Sequence, residues 1–207
     1  MEHPQRAAAG RRDPKPKETT GGEYGVVRIW LLGGFWVSVG ERSIGESGWR
    51  LRKAAALVKL LALTPEHRLH REQIMDRLWP DLDSAVAANS LRQALHVARR
   101  TLGPGASRCL RLQGESVALC PDSPLWVDVD AFLDAAAAAR RAREPAAYRA
   151  AIELYAGDLL PGDLYEGWTE LRREGLRRVY LTLLEELAVS TRSARISGRP
   201  SKRSGER

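Results

Sequence analysis

The clearest amphipathic pattern in the chain lies between Ser84 and Leu102, where apolar residues recur every three or four positions. This spacing predicts an α-helix with one apolar face. The apolar stripe consists of Leu91, Leu95, Ala98 and Leu102. The opposite stripe consists of Asn89, Gln93, His96 and Arg100, with Arg92 and Arg99 on its flank. At about 1.5 Å per residue the helix would be roughly 27 Å long, enough to lie in a DNA major groove.

The polar face of this helix contains amides, an imidazole and guanidinium groups, and no carboxylate. All of these groups can bond base edges or phosphates. An ordinary solvent-exposed face usually includes Glu and Asp as well. We therefore interpret the segment as a DNA recognition helix; the alternative is an ordinary basic surface helix.

The preceding residues complete a helix-turn-helix pattern. β-branched and aromatic residues with two Gly-containing turns predict an antiparallel meander over 26–32, 35–39 and 42–45. An amphipathic helix is predicted from Trp49 to Leu63, and a shorter one from Arg71 to Leu78. Two helices and a short turn before a third helix with a polar face describe a helix-turn-helix.

A β-hairpin is predicted directly after the third helix, because Gly114-Glu115 is a two-residue turn between alternating residues. The residues predicted to face the core are Leu110, Leu112, Val117 and Leu119. The residues predicted to face outward are Cys109, Arg111, Gln113, Ser116, Ala118 and Cys120. Such a hairpin is a wing, in which Arg111 would point to solvent and meet the minor groove.

The two cysteines lie opposite each other in this register, Cys109 against Cys120. They make neither a disulfide framework nor a zinc site. Because permanent disulfides are rare in the cytosol, we interpret them as simple thiols. The alternative is a redox switch.

From Trp126 onward the pattern is helical. Helices are predicted over about 129–142 with Asp128 as cap, from Pro145 to Tyr155, and from about Leu164 to Ser190. Their pairing resembles a tetratricopeptide-like solenoid, shortened to an incomplete array. The apolar arc of the last helix is wider than one neighbour covers, which predicts a partner or a second copy there, unless the helix folds back on the winged helix. That arc consists of Leu176, Val179, Tyr180, Leu183, Leu184 and Leu187.

Composition and charge divide the chain into four parts. Residues 1–22 and 190–207 are polar and basic and are predicted to be disordered tails. Residues 23–121, the predicted winged helix, carry 14 Lys and Arg against 9 Asp and Glu, which suits a polyanion. Residues 122–189, the predicted helical domain, carry 8 against 13. Without a long apolar run or a secretory signal, no membrane association and a cytoplasmic, nucleoid-associated location are expected.

Motifs of catalysis are missing from the sequence, which has no phosphate-binding loop, nucleophile elbow or H-E-x-x-H pattern. His67 and His70 are three residues apart, but a metal pair would need a third ligand. Asp128 and Asp130 are adjacent helix-start carboxylates, which are usually caps. We therefore expect no enzyme, catalytic residue, metal ligand or cofactor.

Several segments together resemble one family of bacterial regulators. They are LLGGFWVSVGER, WRLRKAAALVKLLAL, HRLHREQIMDRLWPD, AANSLRQALHVARRTLG, WVDVDAF and YAGDLLPGDLYEGWTELRREGLRRVYLTLLEELA. Over about residues 26 to 189 the chain resembles the SARP family of antibiotic regulatory proteins. In that family a winged helix of the response-regulator effector type precedes a bacterial transcriptional activator domain.

The resemblance implies a fold with a small β meander, a three-helix core and a wing, followed by a tetratricopeptide-like helical domain. It implies binding to promoter repeats in double-stranded DNA and recruitment of RNA polymerase. Bases would be read by Asn89, Arg92, Gln93, His96 and Arg100. The DNA backbone would be contacted by Arg71, Arg99 and Arg111. Two other functions remain open: an adaptor whose winged helix docks protein, and a winged helix that binds RNA.

Overall fold

The computed structural model describes residues 26–197, without the side chains of residues 105–107 and 193–197. The predicted tail at 1–22 and the last ten residues of the chain lie outside this part. The strands are β1 (Val27–Trp30), β2 (Trp36–Val39), β3 (Arg42–Gly45), β4 (Arg68–His70), β5 (Leu110–Gln113), β6 (Ser116–Leu119) and β7 (Leu125–Val127). The α-helices are α1 (Arg52–Ala62), α2 (Arg71–Leu78), α3 (Ser84–Leu102), α4 (Asp128–Ala142), α5 (Pro145–Glu153) and α6 (Gly167–Ser197). The chain is mostly helical with two small sheets, which is consistent with a winged helix followed by helices.

The N-terminal sheet has the order β3-β2-β1-β7. Its first three strands form the antiparallel meander expected from their β-branched residues, and alternate residues such as Ile29 and Val37 are fully buried. β7 pairs in parallel with β1, with Arg28 opposite Trp126. Sequence reasoning missed β7, which is three residues long and depends on β1 for its hydrogen bonds.

Helices α1, α2 and α3 pack together on one side of the core. α1 begins at Arg52 rather than at Trp49, because the backbone at Trp49 and at Leu51 is extended; residues 46–48 form a separate short 3-10 helix. The bounds of α2 and α3 are those predicted from the sequence. The Asp83 carboxylate caps α3 by accepting hydrogen bonds from the N–H groups of Ala85 and Val86.

The wing has the predicted register, with Leu110 opposite Leu119 and Leu112 opposite Val117. The prediction of its two faces was partly wrong. Leu112 is 54% exposed, because it lies on the edge strand β5, whereas Val117 lies on the central strand β6 between β5 and β4. Three of the residues predicted to face outward are buried instead: Cys109, Ala118 and Cys120. The two cysteines belong to the hydrophobic core, which extends to the base of the wing.

The helices α4, α5 and α6 form the remaining layer, in which α5 packs on both α4 and α6. A row of rings joins them, since Tyr155 contacts Phe132 at a centroid distance of 5.2 Å and stacks on Tyr180 at 4.4 Å. α6 begins at Gly167 instead of Leu164 and continues to Ser197. The helix therefore includes the first eight residues of the segment predicted as a disordered tail at 190–207. Among the described residues, no helix has the length and apolar character needed to cross a membrane.

The predicted partner face of α6 is largely used inside the chain. Leu176 and Leu183 are buried, with 2% and 0% of their surface exposed. Val179, Tyr180 and Leu187 are partly buried against the same core. Only Leu184, at 38%, counts among the exposed apolar residues. The arc is covered by the packing of α6 within the helical layer, so the expectation that it binds a partner was wrong for Leu176 and Leu183.

Packing crosses the predicted domain boundary at residue 121. Asp128 is not a side-chain cap; its buried Oδ2 accepts hydrogen bonds of 2.8 Å from the N–H groups of Leu31 and Leu32, just after β1. Leu32 also forms a β-bridge with Leu159. The 121/122 division of function stays a prediction, while the core is continuous across it.

A buried lysine makes a second connection between the two parts. Lys59 on α1 is only 2% exposed, and its Nζ lies 2.8 Å from Oε1 of Glu46 and 2.5 Å from Oδ2 of Asp163. The same ammonium lies 4.6 Å from the centroid of the Phe35 ring. Because a buried charge is tolerated only when it is paired, this contact holds α1 against the loop before α6.

Candidate nucleic-acid interface

The outward face of α3 presents the predicted base-reading residues to solvent. The exposed side chains are Asn89, Arg92, Gln93, His96 and Arg100. The opposite stripe is buried in the core, which fixes the rotation of the helix: Leu91, Leu95, Ala98 and Leu102 are all 6% exposed or less. The helix therefore places hydrogen-bond donors and acceptors along one accessible line, which runs from Asn89 to Arg100 over roughly two-thirds of the length of the helix.

Sequence reasoning missed one residue of this face. Val86 is 48% exposed and lies in the first turn of α3. It precedes Asn89 by three positions and Gln93 by seven, so it continues the same stripe toward the N-terminus of the helix. The helical spacing predicts this position, whereas the polar pattern does not, because valine has no hydrogen-bonding group.

Arg99 has a structural role that the sequence did not predict. Its Nε donates a hydrogen bond of 2.9 Å to the carbonyl oxygen of Leu110, at the start of β5. The residue is only partly exposed, unlike Arg100 beside it. The guanidinium thus connects the end of α3 to the wing, which separates Arg99 from the exposed cations of the face.

The other two predicted phosphate contacts form ion pairs on the surface. Nε of Arg71 lies 2.5 Å from Oε2 of Glu115 at the wing turn, and the Arg71 N–H donates to the Glu115 carbonyl. Nη1 of Arg111 forms an ion pair with Oδ2 of Asp122. Both arginine side chains remain about half exposed. Exposed pairs of this kind are worth about 0–1 kcal/mol, so a phosphate group can compete for either guanidinium.

A further cation at the wing was not predicted from the sequence. Arg68 on β4 is exposed and donates a hydrogen bond of 2.6 Å to Oε1 of Gln113 on β5. Since β4 is a three-residue strand that pairs with β6, only the folded sheet brings Arg68 to the hairpin.

The base of the wing contains the two thiols. Cys109 and Cys120 are both free and buried. Their interpretation as simple thiols stays a prediction. A hydrogen bond between the side chains lowers the pKa of the Cys109 thiol below its ordinary value, against the effect of burial. The same hydrogen bond, together with burial, raises the pKa of Cys120.

A cleft of about 770 Å³ separates the α2–α3 connection from the start of α6. Two tryptophans line it, Trp79 and Trp168, together with the fully exposed Tyr165. Its charged residues include Lys53, whose Nζ is 3.7 Å from a carboxylate oxygen of Glu166. In residues 26–197, no group of three or more His, Cys, Asp or Glu residues is arranged to hold a metal ion. Nε2 of His67 instead lies 3.5 Å from Oδ2 of Asp130.

Comparisons with known proteins identify the fold. No family model matches the sequence, and no curated protein matches it. The structure is similar to that of Mycobacterium tuberculosis EmbR in complex with a low-affinity phosphopeptide, with a TM-score of 0.55 and 16% sequence identity. The match covers 80% of this chain and 43% of the EmbR chain, so this chain spans less than half of EmbR's length. Over most of its described residues, this chain therefore has a fold like that of part of EmbR.

Proposed function

We propose that this chain is a sequence-specific DNA-binding regulator of transcription, in which α3 enters the major groove. The observation that carries the proposal is the outward face of α3, with five exposed hydrogen-bonding side chains and no carboxylate. Bases are distinguished in the major groove by such groups, and Arg and Gln or Asn are the commonest partners of guanine and adenine. The resemblance to SARP regulators and the EmbR-like fold support the same function.

Contacts with the DNA backbone would come from the wing side of α3. In this arrangement Arg111 lies at the minor groove and Arg71 at a phosphate, each exchanging its carboxylate partner for DNA. Arg99 would act indirectly, by holding the wing against the end of α3 through the Leu110 carbonyl. Arg68 is an additional candidate for a phosphate contact.

The helical part would contact a protein. We propose RNA polymerase as that partner, on the strength of the SARP resemblance, with α4, α5 and α6 as a shortened tetratricopeptide-like array. A homodimer formed through α6 would have to use its exposed side chains, and these include Leu171, Leu181 and Leu184. The buried Leu176 and Leu183 would not take part.

Selection from random duplexes followed by binding measurements tests the DNA proposal. At the selected site, Gln93→Ala or Arg100→Ala is expected to cost about 1–3 kcal/mol and to relax the preference for one base pair. Arg141→Ala is the matched control, because it removes an exposed arginine from α4 and should leave the site preference unchanged.

Three outcomes would contradict the proposal. If both α3 variants bound the selected duplex as tightly as the parent, α3 would not be the recognition helix. If structured RNA competed better than duplex DNA, the RNA-binding alternative would hold instead. Binding to a protein partner without the steep salt dependence of phosphate contacts would indicate the adaptor.

A further inference from the structure

The N-terminal turn of α3 presents an apolar side chain on an otherwise polar face. Val86 is 48% exposed, while the buried residue beside it, Ala87, is 2% exposed. A β-branched residue is less favourable than Ala in a helix, and an exposed apolar side chain gains nothing from water. Packing in the free protein therefore leaves about half of the Val86 side chain uncovered.

The surroundings of Val86 allow a close approach to a base. The exposed residues that precede Val86 within α3 are small, Ser84 and Ala85, while the exposed Leu82 and Asp83 lie before the helix begins. The next residue on the stripe is Asn89. Longer side chains such as Gln93 and Arg100 follow only toward the C-terminus. The N-terminal end of α3 can therefore lie nearer to the floor of a groove than its C-terminal end.

The geometry of the side chain is also fixed in advance. Val in a helix has one strongly preferred χ1 rotamer, so its methyl groups point in a constant direction. The Val86 N–H is held by the Asp83 carboxylate at 3.1 Å, which orders the first turn. A rigid apolar group of this kind suits a rigid apolar target. In the major groove the only such target on a normal base pair is the C5-methyl group of thymine.

We propose that Val86 reads the C5-methyl group of a thymine next to the bases read by Asn89 and Gln93. This inference rests on the proposed function and specifies part of the sequence that α3 prefers. Three residues of helix advance by about 4.5 Å, compared with about 3.4 Å per base pair. The thymine therefore lies one or two base pairs from the base that Asn89 contacts.

Replacement of thymine by deoxyuridine tests the proposal, because it removes only the methyl group. Each thymine of the selected duplex is replaced in turn, and the dissociation constants are measured for the full chain. Burial of one methyl group predicts that one replacement weakens binding of the parent about fourfold. In Val86→Ala the same replacement should have no effect, whereas Val189→Ala, which removes an exposed valine from α6, should keep the fourfold loss.

The outcomes separate this inference from the function on which it rests. If the parent bound no duplex, both would fail. If it bound a selected duplex through Gln93 and Arg100 but no deoxyuridine replacement weakened it, only the role of Val86 would be refuted. An equal loss in the parent and in Val86→Ala would refute it as well. A parallel duplex with 5-methylcytosine at the identified position shows whether the methyl group alone is recognised: binding restored toward that of thymine supports the proposal, and binding like that of cytosine contradicts it.

Discussion

The buried carboxyl of Asp128 makes the stability of the fold depend on pH. Asp128 is 3% exposed, and its burial raises its pKa to about 6, against the opposing effect of hydrogen bonds from the Leu32 and Leu31 N–H groups. The usual value is 3.8. At 1.36 kcal/mol for each pKa unit, the ionised carboxyl costs about 3 kcal/mol in the folded state relative to the unfolded chain.

The sign of the effect follows from proton binding. Between pH 4 and pH 6, roughly, the folded chain holds a proton on Asp128 that the unfolded chain has lost, so stability falls as the pH rises through this window. Below the window both states are protonated, and the contribution of Asp128 is fully favourable. Above it both are ionised, and the cost is complete.

Asp128→Asn isolates this contribution. The amide cannot ionise, yet its oxygen can still accept hydrogen bonds from Leu31 and Leu32. The free energy of unfolding of the variant minus that of the parent, from urea titrations, should therefore rise by about 3 kcal/mol between about pH 3 and pH 7, with most of the rise between pH 4 and pH 6. Asp134→Asn removes an exposed carboxylate from the same helix and controls for the change in charge. A difference for Asp128→Asn that stayed constant with pH would refute the reasoning.

Two further results are expected. If the two parts were independent, a fragment of residues 23–121 would be the complete DNA-binding module. Because this fragment lacks β7 and Asp128, we expect circular dichroism to show that its fold is less stable than that of a fragment of residues 23–142. Equal stability of the two fragments would contradict this. Glu115→Gln removes the partner of Arg71 and a negative charge from the wing. The affinity for all duplexes should therefore rise, and the dependence of log affinity on log salt concentration should steepen by about one. Glu144→Gln, which removes an exposed carboxylate elsewhere, is the control. An unchanged slope would place Arg71 away from the phosphates.

Local patterns were sufficient for the elements that carry the candidate site. The bounds of α2 and α3 follow from apolar spacing and end signals, including the capping carboxylate of Asp83. The register of the wing follows from a two-residue turn at Gly114-Glu115. The exposed polar stripe of α3 could be predicted for the same reason, because a helix with one apolar stripe has only one way to face a core.

Interactions between distant residues decided what local patterns could not. β4 and β7 are three residues long and exist only through pairing with β6 and β1. Leu112 and Val117 alternate correctly, yet only the order of strands in the sheet exposes one and buries the other. The burial of Leu176 and Leu183 likewise depends on which helices pack against α6. The hydrogen bond from Arg99 to the Leu110 carbonyl depends on the position of the wing beside α3. Periodicity determines which residues share a face, whereas burial and pairing depend on the neighbour that the whole chain places against that face.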